Sequence, residues 1–525
     1  GNYNEAFMKS VKTALAREPY QSAGILESAL AGIAEHAKEN GMKYLILSGD
    51  LTSNGEYEAH RQLAARLEKF EKDTGIQVIA INGNHDINKA NGTTYENGKA
   101  EPTKRTTPED FLEIYKNLGY DLAYHRYTPS KGKANMLSYS VRADGYRFIV
   151  MDTGKYSSDV TEKGKDLAET AGCLTTEATN WVLNEIADAK ANGETVIGVS
   201  HHNFVPHFTG EYTIIRGFVI DGWEELTDKL VDAGMHFSFT GHIHDSDIAR
   251  TVTDDGETLT EICTDSLTAF PNYFREVSAT TDVNGKTTMK VESKDVDCVL
   301  PVTVNGETYA TPYRIKSLGD SFFGEGGLSA TALNMLSGLL DEYSEKIAED
   351  GMLNTLKGMG LDIEGMISGF FGDGLKIGDT ELFTTKNLMG FIEDLLNQIY
   401  ENYLTDPDAT AEYLVNSINK LLNVQVSELP NTRFIDEYGF GDRTKPGTFE
   451  DLLECIIVYK YEGKLHMKDD PFMMDAIDQL NNGDTVFDIF DALIDIVAND
   501  LLQDKILKDL DINLGAFFPE GTTLE

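Results

Sequence analysis

The segment Tyr44-Leu45-Ile46-Leu47-Ser48-Gly49-Asp50 and its later counterpart Val78-Ile79-Ala80-Ile81-Asn82-Gly83-Asn84-His85-Asp86 decide the reading of this chain. Each begins as a short, continuous apolar run rich in β-branched residues, the pattern of a parallel strand buried on both faces. Between them, about residues 56–71, Leu63, Leu67 and Phe70 recur in helical phase. A strand–helix–strand unit almost always crosses over right-handedly, so both polar tails emerge at one carboxyl edge. Open α/β sheets bind their ligands at that edge. Asp, Asn and His there offer oxygen and nitrogen donors of the kind a divalent metal takes.

Three more strand-like runs end the same way. Arg147-Phe148-Ile149-Val150-Met151 runs into Asp152, Thr195-Val196-Ile197-Gly198-Val199 into Ser200-His201-His202, and His236-Phe237-Ser238-Phe239 into Thr240-Gly241-His242-Ile243-His244. Of the eleven His in the chain, five stand just after predicted strands. Taken singly, an Asp after a strand is often a helix cap and an Asn in a Gly-Asn turn often only tolerates a left-handed backbone. Together and in this order, Gly49-Asp50, Gly83-Asn84-His85-Asp86, His201-His202 and Gly241-His242-Ile243-His244 resemble the calcineurin-like metallophosphoesterases, over roughly residues 1–315.

That resemblance implies an α/β fold, a sheet sandwich flanked by helices, and hydrolysis of a phosphoester. A phosphoester resists attack because its oxygens are negative and water is a poor nucleophile; two cations roughly 3.5–4 Å apart answer both problems. By resemblance Asp50 bridges the two metals, Asn84, His201 and His242 join it on the second, and His244 serves the first. His85 is the implied general acid, with Asp86 bonded to its far nitrogen and favouring the imidazolium. Asp152 reads as structural or as supporting the ligands. His202, Asn203 and His207 stay open between structural, supporting and substrate-touching roles, and His202 exchanging places with His201 is a further alternative. Ligand type alone leaves the metal as Fe, Mn or Zn.

The family's usual opening strand ends in Asp-x-His and supplies two ligands of the first metal. No Asp precedes Asp50 here. The expectation is that the native protein carries that pair ahead of Gly1; the alternative is a degenerate, single-metal binding module. The substrate reading is a phosphomonoester or small phosphodiester. Its rival is a nucleotidase or cyclic-nucleotide phosphodiesterase in which Tyr95, Tyr124 or Phe204 stacks a base. Arginine is scarce around the motifs, so no phosphate clamp stands out.

Composition narrows the partners. The formal net charge is −42 and the pI about 4.5. Such a surface repels polynucleotides and anionic membranes within a Debye length. No apolar run approaches the ~18 residues of a membrane-spanning helix. Cys173, Cys263, Cys298 and Cys455 lack metal-like spacing and read as buried thiols rather than disulfides. The resemblance implies an exported bacterial protein.

Elsewhere the pattern predicts a helix over 23–40, a long loop over 88–106, and a helix beginning at Thr107-Pro108-Glu109-Asp110. Residues 258–315 read as hairpins finishing the sheet edge, with Asp-Gly and Asn-Gly turns. These make residues 1–320 a metallophosphoesterase domain and 321–525 an acidic, all-α domain. In the latter, Leu333, Leu336, Leu340, Tyr343 and Ile347, and later Leu388, Phe391, Leu395 and Ile399, recur at helical spacing, and 486–502 is densely apolar. It is either a packed appendage or a substrate lid or partner platform.

Overall fold

The computed structural model describes residues 22–157, 168–207, 211–214, 216–253, 256–269, 272–283 and 285–296, with Phe7, 302–304 and 307–309. Farther along it describes 344–358, 363–364, 374–377 and 380–405. The chain divides into two compact units, the first comprising Gly1–His207, Gly217–Ser321 and Lys460–Leu465 and the second Phe208–Arg216, Phe322–Tyr459 and His466–Glu525.

In the first unit, helix α1 (Ser22–Asn40) leads into strand β1 (Tyr44–Leu47), helix α2 (Tyr57–Thr74) and strand β2 (Gln77–Ala80). β1 and β2 pair in parallel from Tyr44↔Gln77 to Leu47↔Ala80, so their polar tails do leave at one edge. The loop that follows contains a two-residue ladder, β3 (Thr93–Thr94) with β4 (Glu101–Pro102). Helix α3 (Pro108–Ile114) starts on a complete capping box, with the Thr107 side chain and Asp110 each satisfying the other's backbone N–H.

A second, seven-stranded sheet follows: β5 (Ala123–Arg126), β6 (Tyr139–Ala143), β7 (Tyr146–Met151), β8 (Thr195–Ser200), β9 (Met235–Thr240), β10 (Ile248–Val252) and β11 (Thr258–Cys263). Its order is β10-β11-β9-β8-β7-β6-β5. The β7–β8, β8–β9 and β9–β11 pairs are parallel. Alternation along the central strands makes two cores. Phe148, Val150, Ile197 and Val199 join β2 and α2 in one, while Ile149, Met151 and Val196 face helices α4 (Thr176–Ala191) and α5 (Trp223–Ala233) in the other. A strand buried on both sides has no polar face, hence the unbroken apolar runs. The Tyr139 hydroxyl donates to the Ala80 carbonyl at 2.8 Å, tying the two sheets together.

Among the described strands of this stretch, only β10 and β11 extend the sheet edge. The strands β12 (Tyr273–Thr281) and β13 (Thr287–Asp295) form a separate antiparallel ribbon. It meets α1, where Glu276 accepts from Asn40 Nδ2 at 2.7 Å and lies 3.1 Å from His36 Nδ1. Among the described residues, β14 (Val302–Val304) and β15 (Glu307–Tyr309) pair only with each other. Cys173 and Cys263 are free thiols; Cys298 and Cys455 lie outside the described residues.

In the second unit, helices α6 (Ser344–Asp350), α7 (Met352–Gly358) and α8 (Thr385–Thr405) bury Ile347 and Met352 against Leu356, Leu396, Tyr400 and Tyr403. The all-helical reading needs a correction. A hairpin, β16 (Gly374–Ile377) with β17 (Thr380–Thr384), precedes α8. The run Thr380-Glu381-Leu382-Phe383-Thr384 sets an adjacent Leu-Phe pair between threonines and carries no helical stripe. The stripes over 333–343 and 486–502 lie outside the described residues. No described helix is long and apolar enough to cross a membrane.

Arg147 on β7 is fully buried, its guanidinium 3.0 Å from Glu185, 2.9 Å from Asp188 and 2.7 Å from Glu194. Glu185 also faces His125 at 2.7 Å and accepts from Ser140 Oγ at 2.6 Å. Removing the cation strands a buried carboxylate. Arg147→Met is therefore expected to cost roughly 3–5 kcal/mol of unfolding free energy; a urea midpoint equal to wild type would disprove this.

Candidate metal centre

Four parallel strands end at one place. Asp50 follows β1, Asn84 follows β2, His201 follows β8, and His242 follows β9. Their donor atoms converge on His201 Nε2, which lies 3.3 Å from Asp50 Oδ2, 3.1 Å from Asn84 Oδ1 and 3.0 Å from His242 Nδ1. Donor atoms of Asp50, His201 and His242 all fall within 4.8 Å of one another.

Each imidazole is turned by its far nitrogen. His201 Nδ1–H donates to the Ser48 carbonyl at 2.8 Å, so Nε2 presents its lone pair. His242 Nε2–H donates to the Gly217 carbonyl at 3.3 Å, which leaves Nδ1 facing the cluster. Phe218 stacks on the His242 ring at 4.6 Å. A proton on His201 Nε2 could satisfy only one of three neighbouring acceptors. A cation satisfies all of them, so this donor set fits a divalent metal.

The electrostatics agree with that chemistry. Burial alone pushes the Asp50 carboxyl upward, but His201 above all, with His85 and His242, holds it well below the usual carboxylate range. Burial, reinforced by His202 and His201, pushes His242 well below the ordinary imidazole value and keeps it neutral. Burial also works against a proton on His201, yet the Asp50 carboxylate raises it overall.

Close backbone approach requires the two glycines. A Cβ on Gly49, at φ +95°, would stand 2.7 Å from both the Gly83 nitrogen and His201 Nδ1. A Cβ on Gly83 would stand 2.2 Å from Asp50 Oδ1 and 2.4 Å from the Asp50 nitrogen. Asp50, His242 and His244 themselves adopt φ of 50°, 67° and 55°. Left-handed backbone costs a non-glycine residue about 1–2 kcal/mol, and such strain collects at functional sites.

His85 donates its backbone N–H to Asp50 Oδ1 at 2.9 Å, and its half-buried ring donates from Nδ1 to the Ser53 carbonyl at 2.7 Å. The expected pairing of His85 with Asp86 is therefore overturned. Neighbours in a turn point opposite ways, and Asp86 is fully buried, accepting from Thr52 N at 2.9 Å and Gly83 N at 2.7 Å. It braces the turn and does not serve the acid. Burial first, then the Asp50 charge, pushes its carboxyl up to about 7.

His202 does not exchange places with His201. Its Nδ1 lies 2.7 Å from Thr153 Oγ1 and its Nε2–H donates to the Thr170 carbonyl at 2.9 Å. Burial, then the His201 charge, lowers it to about 3. Asn203 is buried and donates to Thr240 Oγ1 at 2.9 Å and Glu261 at 3.1 Å. His207 is buried between Asp247 and Glu261, away from any substrate-touching role. Asp152 is structural, accepting from Asn82 at 3.0 Å, Gly154 N at 3.1 Å and Leu137 N at 3.2 Å. His244 is half-buried and outside the group whose donors lie within 4.8 Å of one another. Among the aromatics suggested for base stacking, Phe204 is fully buried, Tyr124 lies over the Arg142 and Arg147 guanidinium groups, and Tyr95 packs edge-on against Phe7.

Two neighbours escaped the sequence reading. His60 lies under the Asp86 turn, its Nε2–H donating to the Asp86 carbonyl at 3.2 Å and its Nδ1 2.8 Å from the Tyr115 hydroxyl. Burial lowers it to about 4. Its signal was its phase with Ala64 and Leu67 on the buried face of α2. Lys89 is half-buried beyond the same turn, and burial lowers its ammonium against the pull of Asp50 and Asp86. It forms no ion pair among the described residues. Gly83→Ala is expected to leave a folded protein with at least tenfold weaker Zn2+ binding, because the added carbon displaces Asp50. Wild-type affinity by calorimetry would show that the close approach is dispensable.

Residues 24–246, which carry all four motifs, match the sequence profile described as calcineurin-like phosphoesterase. A dimetal phosphatase from Danio rerio matches at 12% identity over 51% of this chain and 85% of its own, with a TM-score of 0.32. The phosphopantetheinyl hydrolase of Mycobacterium tuberculosis matches at 14% identity over 43% of this chain and 79% of its own, with a TM-score of 0.24. No curated protein matches significantly. Over residues 24–246, then, this chain matches the calcineurin-like phosphoesterase family.

Proposed function

We propose that this protein hydrolyses a phosphomonoester or small phosphodiester at a metal centre in which Asp50, Asn84, His201 and His242 hold the second cation and His244 serves the first. The observation that carries the reading is the crowding of three acceptors around one imidazole nitrogen, at 3.0–3.3 Å. Bound cations supply charge neutralisation at the phosphoryl oxygens and a water acidic enough to react near neutral pH. The chain's own residues do the rest. Asp50 and Asn84 set the position of the centre, and the Asp50–His85 backbone bond places the His85 ring at its rim. As an imidazolium, His85 donates Nδ1–H to Ser53 and delivers its other proton to the departing alkoxide.

Hydrolysis of p-nitrophenyl phosphate and its bis-ester by protein loaded with Mn2+ or Zn2+ tests the reading. Asp50→Ala should abolish turnover and lower metal content; full activity in that variant sinks the proposal. His85→Ala should retain metal and slow turnover by roughly 10²–10⁴-fold, most for poor leaving groups. Loss of metal instead would make His85 a ligand.

Lys89 supplies the cation that the arginine-poor motifs lack. We assign it to a phosphoryl oxygen because it is partly desolvated, lies within the field of the Asp50 carboxylate, and forms no ion pair among the described residues. Lys89→Met should raise KM for an aryl phosphate roughly fivefold to tenfold, about 1 kcal/mol of binding, with metal content unchanged. An unaltered KM would remove Lys89 from the substrate site.

A further inference from the structure

Behind the metal-centre loops lies a group of ionised side chains that the hydrolytic reading does not use. His207 is buried, with Nδ1 3.1 Å from Asp247 Oδ2 and Nε2 3.0 Å from Glu261 Oε1. Both carboxylates are buried as well. A carboxylate oxygen at each ring nitrogen calls for an N–H on each, so His207 is an imidazolium bridging two anions.

The bridge spans the two segments that carry the imidazoles. His207 closes the turn that begins at His201. Asp247 lies three residues past His244, and its carbonyl accepts from Cys263 N at 3.0 Å. Glu261, on β11, also accepts from Phe204 N at 2.9 Å, Ser238 Oγ at 3.0 Å and Asn203 Nδ2 at 3.1 Å. Asn203 in turn donates to Thr240 Oγ1 at 2.9 Å, just ahead of Gly241-His242. The segment 240–247 is thus fastened to the segment 201–207 at both of its ends, with the metal-centre histidines between the fastenings.

We infer that the Asp247–His207–Glu261 bridge is the positioning element that sets His201 and His242 at their mutual separation. This inference rests on the metal-centre reading. Holding the ligands in place without a cation requires a rigid frame, because a proton on His201 Nε2 satisfies only one of its three acceptors at 3.0–3.3 Å. Neutral hydrogen bonds are roughly half as strong as charge-assisted ones. Removing partners around a metal site typically weakens binding 10–100-fold. Burial disfavours the His207 charge, but the bonds to Asp247 and Glu261 prevail and push it up to about 10. The other groups facing this region are Arg275 on β12, Asp245, Asp265 and the Cys263 thiol.

The test compares Zn2+ affinity, by calorimetry, with the thermal midpoint of the metal-free protein. His207→Gln leaves two buried carboxylates facing each other and should lower both. The shape-conserving triple variant Asp247→Asn, His207→Gln, Glu261→Gln carries no charge at the bridge. It should recover most of the midpoint while binding Zn2+ at least tenfold more weakly than wild type. Recovery of affinity along with the midpoint would reduce the bridge to packing and overturn the inference. Independently of any variant, nitrogen-15 spectra of the wild type should show both His207 ring nitrogens protonated from pH 6 to 8, with and without Zn2+; a bare nitrogen there overturns the bridge, whether or not the variants fold. If wild type bound no Zn2+ at all, the metal-centre reading would fall and this inference with it. Equal binding by wild type and triple variant removes only the inference.

Discussion

Lone-pair repulsion is the constraint that the first unit is built to withstand. Asp50, Asn84, His201 and His242 direct donor atoms at one small volume, and none of those atoms gains from the others' presence without a cation or a shared proton. Such a cluster is not a folding nucleus. It exists because stronger interactions hold its supports in place: the two apolar cores on either face of β7 and β8, the parallel register of β1 with β2, and backbone carbonyls that anchor the far side of each ring. Burial then does chemical as well as structural work. It keeps His242 neutral, the form that can give its lone pair, and lets the histidines hold Asp50 ionised.

The anchoring carbonyls come from elements other than those bearing the rings. Ser48 belongs to the β1 tail, while the His201 ring it holds belongs to β8 in the other sheet. The centre is therefore also the seam between the two-stranded and seven-stranded sheets. That dual role explains why glycine is needed on both sides of the seam. At Gly49 and Gly83 the two tails approach more closely than any side chain permits. Strain at Asp50, His242 and His244 is tolerated for the same reason: the surrounding register leaves the turn no looser path.

What was legible in the sequence followed from periodicity and position. Apolar runs that end in polar residues marked the strands, and the carboxyl-edge rule placed Asp50, Asn84, His201 and His242 at the ends of those strands. Side-chain direction within a turn was not legible. Asp86 adjoins His85 in sequence, yet it points into the protein and clamps Thr52 and Gly83. Partners distant in sequence were equally invisible. Nothing near His207 announces Glu261, 54 positions away, and an isolated histidine on a loop reads as exposed until its carboxylates are placed. His60 was recoverable, since it shares the buried stripe of α2 with Ala64 and Leu67. The β16–β17 hairpin was missed because flanking helical stripes set the expectation for a segment too short to show a period of its own.

The acidic composition bears on what such a centre can accept. A formal charge of −42 opposes the approach of any phosphoester, but mobile salt screens that field over roughly 8 Å at physiological ionic strength. A compact ester therefore meets the repulsion mainly on its way in, and once at the carboxyl edge it is governed by local groups. An extended polyanion differs: its other phosphates would remain over the acidic surface while one of them reached the site, so each further phosphate adds opposition without adding a partner. Net charge thus weighs against a long polyanion more than against a compact ester. It also makes local cations decisive, since only they reverse the sign of the potential where bond cleavage would take place.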